Sequence, residues 1–210
     1  MCDSDGFRYP NACIAVFARA PEHGRVKTRL AAGIGTDAAL AVYRQLLEQT
    51  LETVVASQLA PIELHIEGDM ANPFVRSIAE RADAVIIAQQ GADLGERMYR
   101  ALDGALRHRD SVLVIGTDCP VMDATYLGRA FKQLASDAEV VVGPSEDGGY
   151  VLIGATRADE RVFQNINWGS DSVMQQTRDA LSSVGICFSE LDVLWDVDHA
   201  DDYRRWQKNN

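Results

Sequence analysis

The chain has 210 residues, 47% of them hydrophobic, and a formal net charge of −11. That length is enough for one full core, and no apolar run approaches the roughly 20 residues of a membrane span. The acidic balance argues against a nucleic-acid partner, which needs a basic face. A nucleotide stays compatible, because a bound Mg²⁺ and a few local cations hold phosphates in an acidic protein. Cys2, Cys13, Cys119 and Cys187 are far apart and form no C-x-x-C pair, so reduced, mostly packed thiols in a reducing compartment are expected.

Residues 1–11 are polar, carry Asp3, Asp5 and Arg8, and lack the apolar stretch of a signal peptide. They read as a disordered tail on a cytoplasmic protein, with a single domain over 12–210. A strand over 12–17 comes next, then a long helix over about 37–57. In that helix Leu40, Tyr43, Leu47, Leu51 and Val54 recur at the three-to-four spacing of one buried stripe. Strands follow at 62–66 and 84–88, a helix at about 94–107, a strand at 112–115 and a helix at about 124–134. Strands at 139–142 and 150–153 precede a helix over about 171–181, with Ser170 as its N-cap. A strand at 186–188 and a helix at about 200–206 close the chain. Alternation of this kind argues for an α/β fold with a mostly parallel sheet and helices on both faces. One step breaks it. The connection from Gly143 to Gly149 is too short for a helical crossover between parallel neighbours, so the sheet is mixed.

Chemistry concentrates at strand ends. The run Val112-Leu113-Val114-Ile115 passes through Gly116 and Thr117 to Asp118, Cys119 and Pro120. Gly116 frees the turn and Pro120 stops the strand. Asp118 thus falls at the carboxyl end of a buried strand, where open α/β sheets bind ligands. There it either holds a divalent cation against a phosphate or caps the next helix. Cys119 beside it has no neighbouring base, which favours packing over nucleophilic chemistry. The first strand runs into Arg19, Gly24, Arg25, Lys27 and Arg29, a basic loop of the kind that faces a polyphosphate, although it lacks Walker A spacing. Gly91 and Gly95 allow close backbone approach at the turn after the third strand, and Arg97 follows on the helix. Asp147, Gly148, Gly149 and Tyr150 form a polar, loose loop suited to an acceptor. In it Asp147 either acts on a hydroxyl, as orienter or base, or stabilises the turn. Trp168 either covers the pocket or packs in the core.

Five segments together resemble the DUF2064 family of bacterial proteins, described as glycosyltransferase-like within the nucleotide-diphospho-sugar transferase superfamily. They are A-x-A-P-x-x-G-R-V-K-T-R-L, G-A-D-L-G-E-R-M, G-T-D-C-P, G-P-S-E-D-G-G-Y and D-V-D-H-A-D-D-Y, in order over about residues 12–206. The resemblance implies a three-layer α/β/α sandwich of the glycosyltransferase A type. K-T-R-L is also similar to the K-S-R-L of 2-phospho-lactate guanylyltransferases. The segment from Asp196 to Asp202 is similar to the V-D-T-P-E-D-L of cytidylyltransferases, which transfers a metal-binding role to Asp198. His199 and Ala200 replace the usual Thr and Pro, and Asp196 is a competing ligand.

The expected activity is therefore transfer from a nucleoside triphosphate to a small phosphorylated or sugar-phosphate acceptor, with Mg²⁺ (or Mn²⁺) held by Asp118 and Asp198. Lys27 and Arg29 would neutralise the leaving group, Arg19, Gly24, Arg25, Gly91, Gly95 and Arg97 would contact the nucleotide, and Asp147 would serve catalysis and acceptor binding. Glycosyl transfer from a nucleotide-sugar is the alternative. Against it, Asp118 stands alone where most metal-dependent relatives of that type carry two acids one residue apart. A non-catalytic nucleotide-binding module is a further one.

Overall fold

A computed structural model describes residues 6–209. Its elements are β1 (Ala12–Arg19), α1 (Thr28–Ile34), α2 (Thr36–Ser57), β2 (Ile62–Glu67), α3 (Pro73–Arg81), β3 (Val85–Ala88), α4 (Leu94–Leu106), β4 (Ser111–Ile115), α5 (Ala124–Leu134), β5 (Val140–Pro144), β6 (Tyr150–Ala155), α6 (Val173–Ser183), β7 (Phe188–Glu190) and α7 (Ala200–Asn209). One seven-stranded sheet runs β3-β2-β1-β4-β6-β5-β7. β6 lies antiparallel to both β4 and β5, and the other pairings are parallel. The mixed sheet expected from the short Gly143–Gly149 connection is the one observed.

Alternation along the central strands divides the core between two layers. Ile14, Val16, Leu113 and Ile115 face α2, α3 and α5, whereas Cys13, Ala15, Val112 and Val114 face α4 and α6. Strands buried on both faces need nearly continuous apolar sequence, and β1 and β4 have it. A third cluster lies beyond α2, where Leu30, Val42 and Leu46 pack with Trp195, Val197 and Trp206. Helix α2 is thus buried along two stripes, one toward the sheet and one toward α1 and α7. The single stripe predicted for it is only the sheet-facing half. Among the described residues no helix is long and apolar enough to cross a membrane.

Several boundaries differ from expectation. Residues 28–34, of which 28–30 were read as the end of a basic loop, form α1, whose Leu30 is fully buried. Residues 73–81 form α3, and its start was readable: the Asn72 side chain accepts from the Phe74 amide and Pro73 occupies the first turn. Ser170 does not cap α6, which begins at Val173. Its hydroxyl instead donates to the Asn167 carbonyl and shares a hydrogen bond with Ser172. The last strand starts at Phe188 rather than 186.

Part of the segment expected to be a disordered tail is docked. The Arg8 and Tyr9 amides donate to the Gln58 and Leu59 carbonyls, and the Tyr9 ring stacks on Phe131 at 4.8 Å. Residues 1–5, with Cys2, lie outside the described residues. Cys13 and Cys119 are buried, and burial pushes the Cys119 thiol up to about 12, as a packed thiol requires. Cys187 is exposed.

The two-sided burial of α2 can be tested directly. Leu46 is 1% exposed and faces away from the sheet. Leu46→Ala is expected to cost about 2–5 kcal/mol in urea unfolding, the range of a fully buried leucine. A loss below about 0.5 kcal/mol, the scale of a surface substitution, would mean the outer stripe is not a true core.

Candidate functional site

The segments that follow β1 and β4 meet the segment before α7 at one residue, Val197. The Val197 amide donates to the Asp118 carbonyl (2.9 Å), and the Val197 carbonyl accepts from the Lys27 ammonium (2.6 Å). That ammonium also lies 2.8 Å from Asp118 Oδ2, and the Lys27 side chain is only 3% exposed. Lys27 itself adopts a left-handed backbone (φ 50°) ahead of α1, a conformation that costs a non-glycine residue roughly 1 kcal/mol or more. Burial alternates across this segment: Trp195 and Val197 sink into the third cluster, while Asp196 and Asp198 stay on the other side. Two acids are thereby delivered beside Asp118.

Asp118 stands in the wall shared by two cavities. The wider, of about 720 Å³, is lined by Arg19, Lys27, Arg29 and Arg97 together with Tyr43 and Asp198. Carboxylates hold its cations in place. Arg19 and Arg97 both grip Glu67 (2.6 and 2.7 Å), and Arg29 donates to Asp198 (2.8 Å). Burial pushes the Glu67 carboxyl up, but the Arg97 hydrogen bond and the Arg19 charge outweigh it, leaving it below the ordinary range. Tyr43 was expected only as a core residue. Its hydroxyl receives the Arg19 amide (2.7 Å) and donates to the Arg19 carbonyl (2.9 Å), fixing the end of β1.

The narrower cavity, of about 250 Å³, is lined by Asp118, Asp147, Asp196, Tyr150 and Trp168, with Phe17 at the junction. Asp147 Oδ1 accepts from the Ser145 hydroxyl and from the Gly149 amide (2.9 Å), which shapes the loop after β5. Gly148 (φ +87°) lets that loop meet the Asp171 carbonyl, which would lie 2.1 Å from any added Cβ. Trp168 stands edge-on to Tyr150 with ring centroids 6.2 Å apart, and it lies flush on Gly95, where a Cβ would come within 2.6 Å of the indole. Burial, then the Asp147 and Asp118 charges, push the Asp196 carboxyl up to about 6. Sequence reasoning gave Asp196 no acceptor role; the visible signal was its place two residues before Asp198, between two buried apolar residues.

Not every expected residue reaches these cavities. Arg25 is 78% exposed and pairs with Glu22 at 3.0 Å, and Gly24 turns the loop without lining either space. The Gly91 carbonyl receives the Arg97 Nε hydrogen bond at 3.2 Å. Lys27, expected to face a leaving group, spends its ammonium on Asp118 and Val197.

Among the described residues, no three His, Cys, Asp or Glu side chains make a closed metal-binding group. Asp118 Oδ1 is nonetheless buried with no hydrogen-bond donor, and an ionised oxygen left so is costly. A hard cation that takes one or two carboxylates and completes its shell from phosphate and water fits that vacancy in hydrogen bonding. Asp198, lining the same cavity as Asp118, is the available second carboxylate.

The DUF2064 family, described as an uncharacterized protein conserved in bacteria, matches residues 50–170. A solved Desulfovibrio desulfuricans G20 protein, provisionally named a nucleotide-diphospho-sugar transferase, is 31% identical over 96% of this chain and 88% of its own, with a TM-score of 0.85. A cytidylyltransferase from Leptospira borgpetersenii shares the fold at 14% identity and TM-score 0.62, over 95% of this chain and 86% of that one. So does glucosyl-3-phosphoglycerate synthase from Mycobacterium tuberculosis, solved with Mn²⁺, UDP and glucosyl-3-phosphoglycerate (11%, TM-score 0.55, over 93% and 75%). No curated protein matches the chain.

The clasp around Val197 makes a stability prediction. Lys27→Met leaves the partly exposed Asp118 carboxylate and the Val197 carbonyl without their donor and is expected to cost about 1–3 kcal/mol. Adding Asp118→Asn should recover part of that loss, because the charge left behind is removed. Urea unfolding of the single and double variants measures both. A double variant less stable than Lys27→Met alone would deny the pairing.

Proposed function

This chain belongs to the DUF2064 family and has the fold of the nucleotide-diphospho-sugar transferases, and from that footing we propose that it is a magnesium-dependent nucleotidyltransferase. The observation that carries the reading is the position of Asp118, with its undonated oxygen, between a cation-lined cavity and a separate acid- and aromatic-lined one. Such an arrangement suits a polyphosphate on one side and its attacker on the other. Gly116 supports nucleotidyl over glycosyl transfer: it occupies the position two residues before Asp118 where a paired acid would stand.

In this reading the nucleoside triphosphate lies in the wider cavity. Arg19, Arg29 and Arg97 exchange their carboxylate partners for phosphate oxygens, and they compensate the charge that builds on the departing pyrophosphate. Asp118 and Asp198 would hold Mg²⁺, which would supply charge withdrawal from the phosphates. Lys27 orients Asp118 rather than touching the leaving group. An acceptor hydroxyl in the narrower cavity attacks the α-phosphorus. The new oxygen–phosphorus bond forms as the bond to the β-phosphate bridging oxygen breaks, and Asp147 takes the hydroxyl proton.

Incubation with labelled nucleoside triphosphates and, separately, nucleotide-sugars tests the reading. Pyrophosphate release that depends on an acceptor and on Mg²⁺ is expected. Release of nucleoside diphosphate from a nucleotide-sugar instead would replace this reading with glycosyl transfer. Asp118→Asn should lower the rate by about 10²–10³, the cost of one transition-state contact. Arg25→Ala should leave it within about twofold, since that side chain pairs at the surface.

A further inference from the structure

We propose that the acceptor carries no phosphate or carboxylate of its own: it is a small hydroxyl compound, uncharged or bearing an ammonium group, seated in the narrower cavity against Trp168 and Phe17. The inference rests on the transferase reading above and narrows its substrate. It revises the expectation of a phosphorylated acceptor.

The argument is one of charge. Asp118, Asp147 and Asp196 line the narrower cavity, and no Lys, Arg or His is among its lining residues. The four cations of the site line the wider cavity: Arg19 and Arg97 share Glu67, Arg29 pairs with Asp198, and Lys27 pairs with Asp118 itself. Lys27 already answers Asp118, and a divalent cation held there would be taken up by the donor phosphates, so Asp147 and Asp196 keep no cation of their own in the lining. A second phosphate entering beside Asp147 and Asp196 would meet like charge at close range. A hydroxyl instead finds acceptors in those same oxygens, and an ammonium finds both countercharge and aromatic faces. The remaining lining suits an apolar body: Met98, Val114 and Ile153 form the floor under Tyr150 and Trp168. At about 250 Å³ the space is below the usual range of drug-sized ligand pockets, so the acceptor is small.

Matched probes decide the matter: glycerol against glycerol 3-phosphate, and ethanolamine against phosphoethanolamine, each offered with the four nucleoside triphosphates and Mg²⁺. The phosphate-free member of each pair is expected to support pyrophosphate release with kcat/KM about tenfold or more above its partner. Ser170→Lys, which puts a cation into the cavity wall, should shrink or reverse that preference. Faster use of the phosphorylated members by the parent protein would overturn the inference and leave the transferase reading intact. If no pair releases pyrophosphate, it is the transferase reading that fails. Calorimetry of the same pairs with the full chain and Mg²⁺ then judges the inference. Tighter binding of the phosphate-free members sustains it. Tighter binding of the phosphorylated ones, or of neither, overturns it.

Discussion

An ammonium sealed from water needs acceptors on every side it can donate to, and Lys27 finds them in the Asp118 carboxylate and the Val197 carbonyl. Because the Val197 amide also donates to the Asp118 carbonyl, the end of β4, the turn before α1 and the segment before α7 are tied at one point. These segments are 170 residues apart at the extreme. Val197 points its own side chain into the cluster of Trp195 and Trp206, so the acids on either side of it line the cavities that Asp118 borders. The repulsion among those carboxylates is part of the design. Burial first, and then that repulsion, raises Asp196.

The rest of the fold bears on that clasp. Helix α2 carries it from two sides: one stripe anchors to the sheet and the other to α1 and α7. Helices α1 and α7 touch so closely that a Cβ on Gly33 would come within 2.8 Å of Ala200. The Asp202 carboxylate accepts the Asp198 and His199 amides at 3.1 and 2.7 Å, which closes the amino end of α7 and holds Asp198 still. Arg205 stacks on Trp195 at 4.2 Å and pairs with Glu146, joining α7 to the loop that bears Asp147.

Electrostatic order across the site follows from where the chain lets cations sit. With a net charge of −11, free arginines are not to be expected. Arg19 and Arg97 share Glu67, and Arg29 shares Asp198. These pairs are partly open to solvent and individually weak, which suits groups that have to change partners. Lys27 differs, being buried and committed. One cation is therefore buried at the clasp while the others stay in partly exposed pairs, a division that residue type alone does not reveal.

The order of the strands, five of the seven helices, the mixed sheet and the strand-end position of Asp118 were legible in the chain itself. Each of them depends on local properties: periodicity, loop length, and the freedom or refusal of Gly116 and Pro120 to continue a strand. Basic residues after β1 could be found the same way, but their division of labour could not. Arg25 turns to Glu22 at the surface while Lys27, two positions on, is buried. That difference is set by a left-handed turn at Lys27 and by Val197, far along the sequence. Helix α1 went unseen because seven residues with one fully buried leucine carry too little periodicity. Its partners are Trp195 and Trp206, which no local window contains. Asp196 gained its place by the same route. A sequence determines what each segment prefers to be; which side chains meet, and so which charges are shared or buried, was decided only when distant segments packed and excluded water between them.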